Sequence, residues 1–124
     1  LQVDARRSLR HGFSTSPIRS MNAFDLETRL EPETGGRYRG VVHPAWNIGQ
    51  NPNGGYLLSL AMAALRDAAP AHADPLSVTV HYQRPGLPGQ PCTVDTRILR
   101  TGRSLTTAAA TLSQEGGARL EVLA

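Results

Sequence analysis

Residues Tyr56 to Leu65 form a ten-residue apolar run broken only by Ser59. Within it and just beyond, Leu57, Leu60, Ala61, Ala64, Leu65 and Ala68 recur at helical spacing, and Leu58 and Met62 widen the stripe. The pattern predicts a helix that is apolar on nearly every side, with its first charges at Arg66 and Asp67 and its stop at Pro70. A membrane-spanning helix needs about 20 apolar residues. The run is half that, so it reads as a helix buried in a protein core, with no membrane partner. A helix of this kind must be wrapped, and the rest of the chain has to supply the wrapping.

The flanking segments read as strands. Leu26, Thr28 and Leu30 alternate with Glu27, Arg29 and Glu31, and the pair Gly35-Gly36 turns the chain into Arg37–Val42, which Pro44 ends. After the helix, Val78, Val80 and Tyr82 alternate with Thr79, His81 and Gln83. Val94, Thr96 and Ile98 then alternate with Asp95, Arg97 and Leu99 up to a turn at Thr101-Gly102. Leu105–Ser113 is rich in Thr and Ala, Gly116-Gly117 signals a hairpin, and Ala118–Ala124 begins a last strand. The order β-β-α-β-β-β-β predicts an α+β protein, an antiparallel sheet curled around one central apolar helix: the layout of a hot-dog fold. The 124 residues suffice for one domain core.

Charge narrows the partners. The formal net charge is +3, and all of it lies in residues 1–20, where Arg6, Arg7, Arg10 and Arg19 face Asp4 alone. From Met21 onward, nine arginines balance nine acids. A basic arm without interleaved aromatics, on a neutral body, does not make a nucleic-acid interface. Residues 1–20 are therefore read as a basic leader outside the fold, either an upstream extension or an organelle transit peptide, and residues 21–124 as a single domain. The lone Cys92 cannot form an internal disulfide, which favours a reducing, cytoplasmic setting; a transit peptide would make it mitochondrial.

Three blocks carry a family resemblance. Gln50-Asn51-Pro52-Asn53-Gly54-Gly55-Tyr56 opens the helix, Val80-His81-Tyr82-Gln83-Arg84-Pro85-Gly86 ends a strand, and Leu99-Arg100-Thr101-Gly102-Arg103-Ser104 forms a turn. In order and spacing they resemble the acyl-CoA thioesterase II-like proteins of the hot-dog superfamily, from about Phe24 to the C-terminus. The resemblance implies a domain that takes acyl-CoA and contributes to its hydrolysis to free acid and coenzyme A, a step in fatty acid metabolism. It also implies a partner, because such proteins carry two hot-dog repeats in roughly twice this length. The chain resembles the N-terminal repeat, truncated in its last strand, and is expected to pair with a second repeat or an identical chain.

The residues themselves are compatible with that chemistry. A helix N-terminus presents free N–H groups and a positive dipole end to the oxygen that gains charge during thioester hydrolysis. Gly54 and Gly55 let a ligand approach the backbone, and Asn53 caps the helix or orients a water; equally, all three simply make a tight turn. Arg103 and Ser104 can meet a phosphate of coenzyme A or stand in solvent at an exposed turn. Trp46, beside Asn47, lines an acyl pocket or plugs the core, and His81 reads as a surface histidine. No catalytic residue is assignable, since the family's water-activating side chains lie in its second repeat. No metal-ligand cluster, dinucleotide fingerprint or phosphate-binding loop occurs, so no metal or cofactor is expected. A hydratase would require an Asp–His pair at the helix entry, and no Asp lies between His43 and Gly55. A module that binds acyl thioesters without turning them over is the remaining alternative.

Overall fold

The computed structural model describes residues 26–124. The basic leader assigned to residues 1–20 lies outside the described residues. Strands β1 (Glu31–Pro32), β2 (Arg37–Val41), β3 (Asn47–Ile48) and β4 (Asn51–Pro52) precede helix α1 (Gly54–Ala68). Strands β5 (Thr79–Tyr82), β6 (Pro91–Thr101), β7 (Thr106–Gln114) and β8 (Gly117–Leu123) follow it. Six strands form one antiparallel sheet in the order β1-β2-β6-β7-β8-β5, while β3 and β4 pair as a separate ribbon.

The sheet curls over α1 as its side-chain pattern requires. On β7, Ala108, Ala110, Leu112 and Gln114 face inward at period two, and Cys92 and Val94 of β6 and Leu120 and Val122 of β8 continue that face. The alanines are small enough for the helix to lie close to β7, where Leu57, Leu60, Ala61, Ala64 and Leu65 complete the core. Leu60, Leu112, Leu120, Val42 and Val94 are all fully buried. No residue from Tyr56 to Ala69 is exposed, as an all-round apolar helix demands. Even Arg66 is buried. No helix among the described residues is long and apolar enough to cross a membrane.

The strand pattern differs from the sequence reading in three places. Leu26 and Glu27 are helical, with Arg29 N bonded to Leu26 O at 3.3 Å, and the first strand starts only at Glu31. The alternation there did not sort inside from outside: Leu26 is exposed, while the Glu27 side chain is 15% exposed. Glu27 is drawn inward by polar partners on the segment before the helix, described below. On β6, Val94 is buried but Ile98 is 43% exposed although it still pairs in register with Ala108; the register shifts only after it, between Ile98 and Arg100. At β5, Tyr82 and the preceding Val78 stay open because this strand pairs with β8 alone and forms the sheet's edge.

Cys92 lies in the core at 2% exposure, and burial pushes its thiol up to about 11 from an ordinary 9.0. In the native protein at pH 8 it is expected to resist a thiol-reactive dye and to react once the chain is unfolded. The same shift couples to stability. The unfolded thiol ionises first, so its contribution is complete below about pH 9 and is lost as pH rises towards about 11. That loss amounts to about 2–3 kcal/mol. Burial raises Tyr56 and Tyr82 in the same direction. Denaturant midpoints measured from pH 8 to 11 should fall accordingly; a flat profile would contradict the buried, protonated thiol.

Candidate functional site at the helix entry

The loop between β2 and α1 is pinned by its own polar groups. Asn53 Oδ1 accepts from Gly55 N at 2.7 Å, its carbonyl accepts from Leu57 N at 3.1 Å, and its N–H donates to Trp46 O at 2.8 Å. Asn53 is therefore the helix cap. The N–H groups of Gly54 and Tyr56, in the same first turn, have no protein acceptor among the described residues. Gly55 is exposed.

Gly54 is covered by a tyrosine. A Cβ there would come within 3.1 Å of the Tyr82 ring, whose hydroxyl donates to Gly54 O at 2.7 Å. The bare α-carbon thus lets the edge strand β5 close over the helix entry. Gly86, at the end of the second sequence block, is needed for a similar reason, since a Cβ there would press on Leu57 at 3.1 Å and on Pro52 at 3.2 Å. The first two blocks therefore meet at one place, the N-terminal end of α1.

A second set of side chains converges on the same end. Tyr56, the third residue of α1, is 3% exposed and sends its hydroxyl towards the strand β2 exit. That oxygen donates to Glu27 O at 2.7 Å, accepts from His43 N at 2.9 Å and lies 3.3 Å from Val41 O. The Trp46 ring stacks on Tyr56 with centroids 5.9 Å apart and planes 17° from parallel, and Trp46 Nε1 donates to Glu27 Oε1 at 2.9 Å. The other carboxylate oxygen, Glu27 Oε2, lies 2.8 Å from His43 Nδ1. Trp46 is thus a partly buried ring packed on the core, with its indole N–H holding a carboxylate. Sequence reasoning did not bring Glu27 and His43 together. They are sixteen positions apart and lie on segments that the Tyr56 hydroxyl of the helix ties together.

Arg103 and Ser104 sit elsewhere. They occupy the β6–β7 turn, closed by Gly102 N to Leu105 O at 2.7 Å. His72, beyond the helix C-terminus, reaches this turn: its Nδ1 is 2.8 Å from Thr106 Oγ1 and its Nε2 3.2 Å from Arg103 O. Ser104 lines a cavity of about 450 Å3 beside Met62, Leu65, His72, Leu76 and Leu105. The fifteen residues of α1 separate the two groups by about 22 Å. The structure therefore gathers Trp46, Asn53, Gly54 and Gly55 at one end of the helix and places Arg103 and Ser104 at the other. His81 is exposed on the edge strand. Among the described residues, no group of three or more His, Cys, Asp or Glu is placed to hold a metal ion.

One buried helix wrapped by a six-stranded antiparallel sheet defines the hot-dog class. Within that class, residues 42–124 match the family model described as the acyl-CoA thioesterase N-terminal domain, and the chain belongs to this family. None of the curated proteins matches the sequence significantly. Among solved structures, a candidate thioesterase II from Thermobifida fusca is 34% identical with a TM-score of 0.75, covering 83% of this chain and 38% of its own. The TesB protein of Mycobacterium avium subspecies paratuberculosis is 27% identical with a TM-score of 0.70, covering 81% of this chain and 40% of its own. A Streptococcus mutans protein solved with acetyl-CoA shares the fold, with a TM-score of 0.66 at 16% identity, over 76% of this chain and 82% of its own. The chain thus spans about 40% of the length of the Thermobifida and Mycobacterium proteins.

Proposed function

We propose that this chain is the N-terminal hot-dog unit of an acyl-CoA thioesterase, which hydrolyses acyl-CoA to a free acid and coenzyme A. The observation that carries the reading is the helix entry. Two first-turn N–H groups there are without a protein acceptor, in a member of the acyl-CoA thioesterase N-terminal domain family. Such donors stabilise the charge that builds on a thioester oxygen as its carbonyl carbon is attacked. Acetyl-CoA in the Streptococcus mutans relative supports an acyl-CoA ligand for this fold. The thioester belongs at the Asn53–Gly55 end, with the acyl chain beside α1 and near Trp46. Arg103 and Ser104 are the groups for a coenzyme A phosphate at the far end of the sheet.

The edge strand β5 bears on the partner. Its outer backbone groups pair with nothing among the described residues, and Val78, Tyr82 and Leu123 are exposed beside it. Such an edge is stable when another strand covers it. A second hot-dog repeat, or an identical chain, would do so and close the helix entry from outside. The reaction belongs to cytoplasmic fatty acid metabolism, where Cys92 stays reduced; a leader acting as a transit peptide would move it to the mitochondrion.

The test is incubation of the full-length protein with acyl-CoAs across a chain-length series, reading released thiol with a dye. Because Cys92 is buried, this unit adds little background. Thiol release with at least one chain length is expected. Binding of acyl-CoA without thiol release from any of them would replace the thioesterase with a binding module.

A further inference from the structure

We infer that His72 is a positioning residue for coenzyme A, whose imidazole fixes the Arg103–Ser104 peptide so that this turn meets a phosphate of the substrate. This rests on the reading above, which puts a coenzyme A phosphate at Arg103 and Ser104, and it extends that site to a residue on another segment. His72 ends the single helical turn Pro70–His72 that follows α1. Its backbone is tied to the helix end: Ala69 N donates to Leu65 O at 2.9 Å, and His72 N to Ala69 O at 3.3 Å. From there the ring spans the β6–β7 turn, with Nε2 3.2 Å from Arg103 O and Nδ1 2.8 Å from Thr106 Oγ1. A carbonyl oxygen only accepts, so Nε2 carries the proton, and in the neutral ring Nδ1 accepts from the Thr106 hydroxyl. One imidazole thus grips the turn on both sides of Ser104 and Leu105.

The turn has little else to hold it. The last strand pair is Thr101 with Thr106, and Gly102 N to Leu105 O closes the loop. Arg103, Ser104 and Leu105 are exposed. Ser104, Leu105 and Thr106 border the cavity of about 450 Å3 from one side and Met62 and Leu65 from the other, so the turn stands over a cavity and not on packed core. His72 is the strut across it.

What the strut sets is the direction of one peptide. A trans peptide is planar, so its N–H points opposite to its carbonyl. With Arg103 O held towards His72, Ser104 N–H faces the other way, and it has no protein acceptor among the described residues. Among those residues the Arg103 guanidinium has no carboxylate partner either. A backbone N–H and a guanidinium on consecutive residues are donors that phosphate oxygens take. Two partly exposed hydrogen bonds add little to stability, and their larger consequence is that this pair of donors is set before the ligand arrives.

The test measures kcat and KM of the full-length protein for an acyl-CoA that the wild type hydrolyses, and for the same acyl group on pantetheine, which has no phosphate. Melting checks that each variant folds. His72→Phe keeps a ring and removes both bonds; it is expected to raise KM for acyl-CoA about 3–10-fold, with kcat nearly unchanged and no effect on acyl-pantetheine. Thr106→Val removes only the Nδ1 bond at similar bulk and is expected to raise the same KM about twofold or more, which keeps the test open if His72→Phe does not fold. Arg103→Ala is expected to raise KM for acyl-CoA about tenfold or more, and in combination with His72→Phe to fall short of the product of the two effects. A His72→Phe that raises both KM values equally, or lowers kcat for both substrates, marks a merely structural residue and overturns the proposal. So does an unchanged KM for acyl-CoA in His72→Phe where Arg103→Ala raises it, and that result leaves the thioesterase reading standing. An Arg103→Ala without effect on KM removes the phosphate contact and the role of His72 with it. A wild type that hydrolyses no acyl-CoA overturns both readings.

Discussion

Gln114→Leu is expected to remove about 3–5 kcal/mol of stability, although leucine fits a buried site and has similar bulk. Gln114 is 2% exposed at the end of β7. Its amide does the work of a neighbouring strand: Oε1 accepts from Leu87 N at 2.8 Å, and Nε2 donates to Leu87 O at 2.9 Å and Gln90 O at 3.3 Å. These contacts hold the β5–β6 connection, and Val42 N to Gln90 O and Gly89 N to Val42 O continue the tie into the sheet. Leucine would leave a buried amide and its carbonyl without partners, each at a cost of about 1–3 kcal/mol. Gln114→Glu sharpens the test. It keeps one acceptor oxygen but sets a second oxygen against two carbonyls, so its deficit relative to wild type should be larger at pH 7 than at pH 4, where a protonated carboxyl can donate again. Denaturant titrations of the three proteins measure both effects. A loss below about 1 kcal/mol for Gln114→Leu would show that the loop finds other partners.

What was legible in the sequence follows from how far each residue's partners lie along the chain. The helix could be read because its stripe is local, and its observed start at Gly54 and end at Ala68 agree with the Asn53 cap and the Pro70 stop. β6 could be read from its alternation, and the β7–β8 hairpin from the Gly116-Gly117 signal, although the turn falls one residue earlier, at Glu115-Gly116, whose positive φ values of 52° and 75° suit a two-residue hairpin. The short alternation at Leu26–Leu30 misled, because five residues match a strand and a helical turn almost equally well. That misreading put Glu27 on a solvent face, whereas its carboxylate meets Trp46 Nε1 and His43 Nδ1. Gln114 carried no signal either, since its partners lie on the 83–90 connection. The contact between Glu27 and His43 is equally non-local, since the two residues lie sixteen positions apart.

The candidate site shows the same division. Asn53, Gly54 and Gly55 are adjacent in sequence, and their capping geometry is a local matter. The role of Gly54, by contrast, depends on Tyr82, which arrives from the edge strand. Arg103 and Ser104 share only the family resemblance with the helix entry, and no local pattern links the two. The structure puts the length of the helix between the two groups, so under the proposed reading they would meet different parts of one extended ligand.

Tyr56→Phe joins the fold to the site in one atom and is expected to lower stability by about 2–4 kcal/mol, or the melting temperature by about 10–20 °C for a domain of this size. The ring remains, so the stacking on Trp46 and the core packing are kept. Only the oxygen is lost, and with it the bonds to Glu27 O and from His43 N. Both groups are backbone atoms in a partly buried position, and phenylalanine offers them nothing. The segment at Glu27 and the exit of β2 should then separate, because this hydroxyl ties each to the helix. Hydrogen exchange at His43 N should accelerate sharply while exchange in β7, anchored by Leu112, changes only with global stability. Equal acceleration in both places would mean that the variant acts through general unfolding and that Tyr56 is no local clamp. If the clamp is local, loss of the hydroxyl should leave the backbone at Asn53 unchanged, because its cap uses a separate set of bonds.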